Sequence, residues 1–132
     1  MIGLDTNVLV RYIAQDDAVQ SQTATRFIER LSERDPGFVS VVAMTETAWV
    51  LERAYRLSAR EVAKVIERML QAAPLVVESE QEVFTAMVAL KEGRGSFADA
   101  LIGALGAKAG CSTTVTFDRR AVQLPGFELL SA

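Results

Sequence analysis

Four carboxylates, Asp5, Glu46, Asp99 and Asp118, each follow or interrupt a mainly apolar stretch of this chain. Asp5 closes the segment Met1-Ile2-Gly3-Leu4 and Asp118 closes Thr114-Val115-Thr116-Phe117, so both stand where a short strand ends. Glu46 and Asp99 lie in helical stretches. Carboxylates gathered within a few ångströms raise each other's pKa or recruit a cation. A donor set made only of oxygen suits Mg²⁺ or Mn²⁺, which polarises phosphate oxygens and acidifies bound water. The pattern therefore points to one acidic pocket holding a divalent ion.

Each of these residues also has a local structural explanation. Asp5 is placed to cap the helix that begins at Thr6 or Asn7, and Asp118 to start the turn after its strand, capping through Arg119 and Arg120. Glu46 is harder to dismiss, because Val42, Ala43, Trp49 and Val50 surround it at helical spacing and predict that it faces the core. Glu52 differs, being spaced to pair with Arg56 as a surface rung. Asp99 is the only charge between Arg94 and Lys108, in a stretch whose lack of a polar face predicts a helix buried all round. It also completes a Ser96-x-x-Asp99 cap.

Other chemistries are excluded by composition. With no His and a single cysteine, Cys111, the chain offers no imidazole base, no Ser-His-Asp triad and no His-based zinc site. Neither G-x-x-x-x-G-K-[ST] nor G-x-G-x-x-G occurs, so nucleotide cradles of those kinds are absent. A hydrophobic share of 50% with a mean hydropathy of +0.20 argues for a folded core rather than disorder. The net charge of −3 is not that of an ordinary nucleic-acid binder. A bound cation resolves this by inverting the field of the pocket, with Arg11, Arg119 and Arg120 as candidates to steer a phosphate backbone. The unpaired Cys111 suits the cytoplasm. Asp5 interrupts any leader-like opening, and Phe97 to Ala107 is far short of the roughly 20 residues that span a bilayer.

The elements that must position these groups alternate. Strands are expected at Ile2 to Leu4, Phe38 to Ser40, Leu75 to Val77, Thr113 to Phe117 and Phe127 to Leu130. Helices are expected at Asn7 to Ile13, Val19 to Arg34, Val42 to Arg56, from the Ser58-x-x-Glu61 cap to Ala73, from a Ser79-x-x-Glu82 cap to near Gly93, and from Ser96 to Lys108. Pro36-Gly37, Pro74 and Gly110 punctuate them. Short apolar strands between amphipathic helices imply an α/β protein, a three-layer α/β/α sandwich around a mainly parallel sheet of about five strands. Residues 1–132 are expected to form a single domain. In such sheets ligands bind beyond the carboxyl ends of the strands, where Asp5 and Asp118 stand.

Asp5-Thr6-Asn7 after a short strand, Thr45-Glu46 within a helix, Phe97-Ala98-Asp99-Ala100-Leu101-Ile102 and Thr116-Phe117-Asp118-Arg119 together resemble the PIN-domain family, and within it the VapC-type toxin ribonucleases. The resemblance covers essentially the whole chain, including Leu124-Pro125-Gly126-Phe127. It implies a Mg²⁺- or Mn²⁺-dependent endoribonuclease in which Asp5 and Asp99 are the primary metal ligands, with Asp118 close to the metal or holding a second one. Glu46 would orient or deprotonate water, and Asn7 and Thr116 would supply supporting hydrogen bonds. It further implies an RNA substrate cut to a 5′-phosphate and a 3′-hydroxyl, an antitoxin that inserts a segment into the pocket, and homodimerisation. The rival reading is a non-catalytic module that engages a partner through the same pocket. A dehalogenase-type phosphoryl-transfer site is disfavoured, since it needs a second Asp where this chain has Asn7.

Overall fold

Ile2–Gly3 (β1), Gly37–Val39 (β2) and Leu75–Val77 (β3) are runs too short for helices and bounded by turns, and in the computed structural model, which describes residues 1–131, all three are strands. The helices are Thr6–Ala14 (α1), Ala18–Glu29 (α2), Val41–Arg53 (α3), Ala59–Gln71 (α4), Glu80–Lys91 (α5) and Phe97–Lys108 (α6). Thr114–Thr116 (β4) and Phe127–Leu129 (β5) follow, joined through a 3-10 turn at Ala121–Gln123. The protein is therefore α/β, with every anticipated strand present. The chain divides after Glu78 into two compact units.

In the first unit the strand order is β1-β2-β3, and both pairings are parallel. Parallel neighbours require crossovers, and the α1–α2 and α3–α4 pairs supply them. The register sets Gly3 beside Phe38 and Val39 beside Val77, so Asp5, Ser40 and Glu78 all follow carboxyl ends of strands. A Cβ at Gly37 would lie 2.8 Å from Leu31 Cδ1 and 2.9 Å from Leu4 Cδ1, so a side chain there would displace the ends of both leucines. The core contains Leu9, Val39, Met44, Leu51, Val62 and Ile66, all nearly inaccessible. Burying such side chains contributes about 1.5–3 kcal/mol each before entropy is counted.

In the second unit α5 packs against α6, and Val83, Ala86, Met87 and Leu90 on one helix and Phe97, Ala100 and Leu101 on the other are all buried. β4 and β5 form a parallel pair in which Thr114 faces Phe127 and Thr116 faces Leu129. The strands thus pair as a set of three and a set of two.

Several expectations need correction. The second helix ends at Glu29, not Arg34, because beyond Leu31 no apolar residue remains to bury and the Ser32 hydroxyl accepts the Asp35 amide to close a turn. The third ends at Arg53, not Arg56. There the Leu57 amide reaches back to the Leu51 carbonyl and Arg56 takes the left-handed conformation (φ 55°), a Schellman-type stop. That break removes the helical spacing on which a Glu52–Arg56 pair depended. Ser79 does not cap α5; it is left-handed (φ 52°), and its hydroxyl accepts from Lys108 at 3.1 Å instead.

Candidate active site

Asp5 is the N-cap of α1. Its backbone is extended (φ −79°, ψ 157°), and its Oδ1 accepts the Thr6 amide at 2.8 Å, leaving Oδ2 without a donor among the described residues. The strand-end position thus serves as a cap and still presents a carboxylate oxygen to solvent. Asn7, on the first turn of α1, lines an apolar groove of about 480 Å³ with Ile2, Leu4, Val8, Arg11 and Phe27.

Glu46 does not face the core. The buried face of α3 is Ala43, Met44, Thr47, Ala48 and Leu51, whereas Glu46 is exposed, along with Val42 and Trp49 on the same stripe. The physical reason is that α3 is apolar on two faces, and packing against α1 and α4 covers only the one that carries Met44 and Leu51. A carboxylate left in solvent needs no buried partner, so the argument from burial does not support a role for Glu46. What remains is its availability to a ligand.

Asp99 stands on the first turn of α6, half-buried, with its amide bonded to the Ser96 hydroxyl at 3.1 Å. Its carboxylate does not complete the reciprocal half of a capping box. The helix is not buried all round: Ile102 is 55% exposed, and only Phe97, Ala100 and Leu101 are fully covered. The low polarity of α6 reflects small residues, Ala and Gly, that pack tolerably without being inaccessible.

Asp118 begins the turn after β4, where its amide donates to Thr116 Oγ1 at 3.0 Å and its Oδ1 accepts the Arg120 amide at 2.8 Å. Arg120 Nε lies 3.7 Å from the same oxygen, a loose and solvent-exposed pair. Arg119 is exposed as well. Arg11 bonds Gln20, Tyr55 and Asp16 in one network through Nε and Nη1. Within that network the Tyr55 hydroxyl, 2.7 Å from Asp16, holds the Asp16 carboxyl below its usual range, and the carboxylate in turn pushes the Tyr55 phenol up.

A fifth acid also stands at a strand end. Glu78 follows Leu75-Val76-Val77 just as Asp5 and Asp118 follow their strands, and its Oε1 accepts the Val41 amide at 2.8 Å at the start of α3. The same apolar-run-then-acid signal was available in the sequence. Its observed use is to hold a helix N-terminus, where a negative charge is favourable.

Whether these residues suit a divalent cation is a question of donors. Asp5, Glu46, Asp99 and Asp118 are all at least partly accessible carboxylates, and each keeps at least one oxygen without a protein donor among the described residues. That chemistry fits Mg²⁺ or Mn²⁺. Within neither unit do three or more Asp, Glu or Cys side chains of the described residues stand grouped as a metal cage.

Compared with known protein families, the PIN domain matches over residues 2–126, nearly the full chain. A comparison with curated proteins gives no match. Among the described residues no helix is long and apolar enough to cross a membrane.

Proposed function

Because this chain belongs to the PIN-domain family, a nuclease-type fold whose members generally use divalent metal ions, we propose that it is a divalent-metal-dependent endoribonuclease of the VapC type, the toxin of a toxin–antitoxin pair. The observation that carries the reading is the accessible, all-oxygen set Asp5, Glu46, Asp99 and Asp118 in a chain that matches the family over residues 2–126. The reading takes residues 1–132 as one domain, its five strands as one mainly parallel sheet in a three-layer α/β/α sandwich. Its partners are an RNA substrate, an antitoxin segment that enters the acidic pocket, and a second copy of the chain. It works in the cytoplasm, where an exposed, unpaired Cys111 is ordinary.

In this mechanism Asp5 and Asp99 would hold the ion, with Asp118 as a further oxygen donor, and Asn7 and Thr116 would support the carboxylates through hydrogen bonds. When bound, Mg²⁺ or Mn²⁺ supplies Lewis acidity towards a phosphodiester oxygen and offsets repulsion between the carboxylates. Glu46 takes a proton from the attacking water as that oxygen forms its bond to phosphorus. The bond from phosphorus to the 3′ oxygen breaks in line, and the 3′ oxygen leaves with a solvent proton. The products are a 5′-phosphate and a 3′-hydroxyl.

The test is to incubate structured RNAs with the purified protein in Mg²⁺, in Mn²⁺ and in chelator, alongside Asp5→Asn and Asp99→Asn. Cleavage that requires metal and both carboxylates, with 5′-phosphate ends, is the expected result. Equal cutting by the variants, or indifference to chelator, sinks the reading. RNA or partner binding without any turnover favours the non-catalytic module.

A further inference from the structure

The line of α3 that carries Glu46 also carries Val42, Trp49 and Arg53, spaced by three or four residues and therefore on one face. None of them is in the core: Val42 is 74% and Trp49 58% exposed, and Glu46 and Arg53 are exposed too. The Arg53 guanidinium lies 5.7 Å from the centroid of the Trp49 ring, within cation–π distance. Among the described residues Arg53 makes no ion pair, although Glu52 is its neighbour. A guanidinium resting on an indole keeps its five N–H donors for something else.

The chemistry of this line identifies what it fits. Val42 and Trp49 alone are a small apolar patch, and a second copy of the chain would call for a broader apolar centre depleted of charge. Here the sequence of groups is apolar, acid, aromatic, cation. A flat aromatic with a phosphate-ready cation stacked beside it is what single-stranded nucleic acid requires: a π surface for a base and a donor for its backbone. We infer that Trp49 and Arg53 form a base-stacking platform for single-stranded RNA, with Trp49 about 4.5 Å and Arg53 about 10.5 Å along the helix axis from Glu46. The base stacks on the open indole face, and Arg53 donates to the adjoining phosphate. Stacking by itself stands apart from the chemistry, but the role of delivering a phosphodiester to Glu46 rests on the nuclease reading.

Trp49 is the only tryptophan of the chain, so its emission reports the platform directly. The probes are ten-nucleotide oligo(A) and oligo(U) RNA, titrated against wild type in chelator and against Asp99→Asn protein in Mg²⁺. Saturable quenching is expected. By anisotropy of the same oligonucleotides carrying fluorescein, Trp49→Ala is expected to bind roughly tenfold more weakly, and Trp49→Phe to recover most of that loss. Arg53→Gln is expected to lower the salt slope by about one. In cleavage assays the Trp49→Ala effect falls on KM rather than kcat. Binding without quenching, no binding at all, or full affinity in Trp49→Ala overturns the platform. So does a Trp49→Ala protein that sediments as a monomer where wild type is dimeric while binding RNA normally, which assigns the face to a second copy. Loss of the platform with metal-dependent cutting intact leaves the nuclease reading standing, whereas quenching and weakened binding without cutting support the platform on a binding module.

Discussion

Asp5 has two separable jobs, and replacing it with Asn and with Ala tells them apart. As N-cap it accepts the Thr6 amide at 2.8 Å through Oδ1, one of the four amides that α1 leaves without an internal partner. The bond goes to the first helical amide rather than the second or third that a cap more often serves, which places its worth in the lower part of the usual range. Asp5→Ala should therefore cost about 1 kcal/mol, combining the lost cap with the lost charge at the helix N-terminus. For a chain of this length that is a fall of roughly 3–6 °C in Tm. Asp5→Asn keeps an accepting oxygen and loses only the charge, so it should cost about half as much, less at high salt. Cleavage should behave in the opposite way, with both variants inactive, because an amide oxygen is a poor substitute for a carboxylate on a divalent ion. Thermal melts followed by far-UV circular dichroism, run beside the RNA assay, give both readouts on the same samples. An Ala variant as stable as wild type refutes the capping argument. An Asn variant that cuts normally refutes the metal-ligand role while leaving the cap intact.

Three other perturbations test the local physics. At the α4 capping box the Ser58 amide and hydroxyl bond with Glu61 at 2.9 and 3.2 Å, and Ser58→Ala should cost about 1 kcal/mol in urea unfolding. The Ser58 amide, chiefly, holds the Glu61 carboxyl below its usual range, so this stabilisation is present above the unfolded pKa and is lost as pH falls through the folded one. Glu61→Gln should accordingly flatten the acid limb of the stability profile, and an unchanged acid limb would count against the linkage. On α3, Leu51→Ala should cost about 2–5 kcal/mol, while Val42→Ala, on the exposed face, should stay within about 0.5 kcal/mol. Equal losses would mean the wrong face has been called buried. Tyr55→Phe should let the Asp16 carboxyl rise towards its ordinary value, read by carboxyl-carbon NMR titration; no movement would deny the hydrogen bond its leading part.

Much of the architecture was legible because short-range rules govern it. The Ser58-x-x-Glu61 box, the Asp5 cap and the Asp118 turn depend on residues within three positions of one another, and each forms as read. The strands were recognisable as brief apolar runs between turn signals. Where local rules compete, the reading slipped. Ser79 has the same Ser-x-x-Glu spacing as Ser58, yet Lys108, far along the chain, takes its hydroxyl and bonds Glu82 at 3.4 Å. No local pattern records that partner.

The candidate site divides along the same line. The sequence by itself determined which carboxylates exist, that imidazole and internal disulfide chemistry are absent, and that Asp5 and Asp118 follow strand ends, because residue type and spacing of a few positions settle those points. Only the tertiary structure decided which face of α3 is buried. Both Val42-Glu46-Trp49 and Met44-Thr47-Leu51 are plausible stripes on a helix this apolar, and the choice falls to the surfaces of α1 and α4 that pack on it. It turned Glu46 from an apparent buried charge into an exposed one. It also put Trp49 and Arg53 beside it in solvent, where an aromatic ring and a cation can meet a ligand.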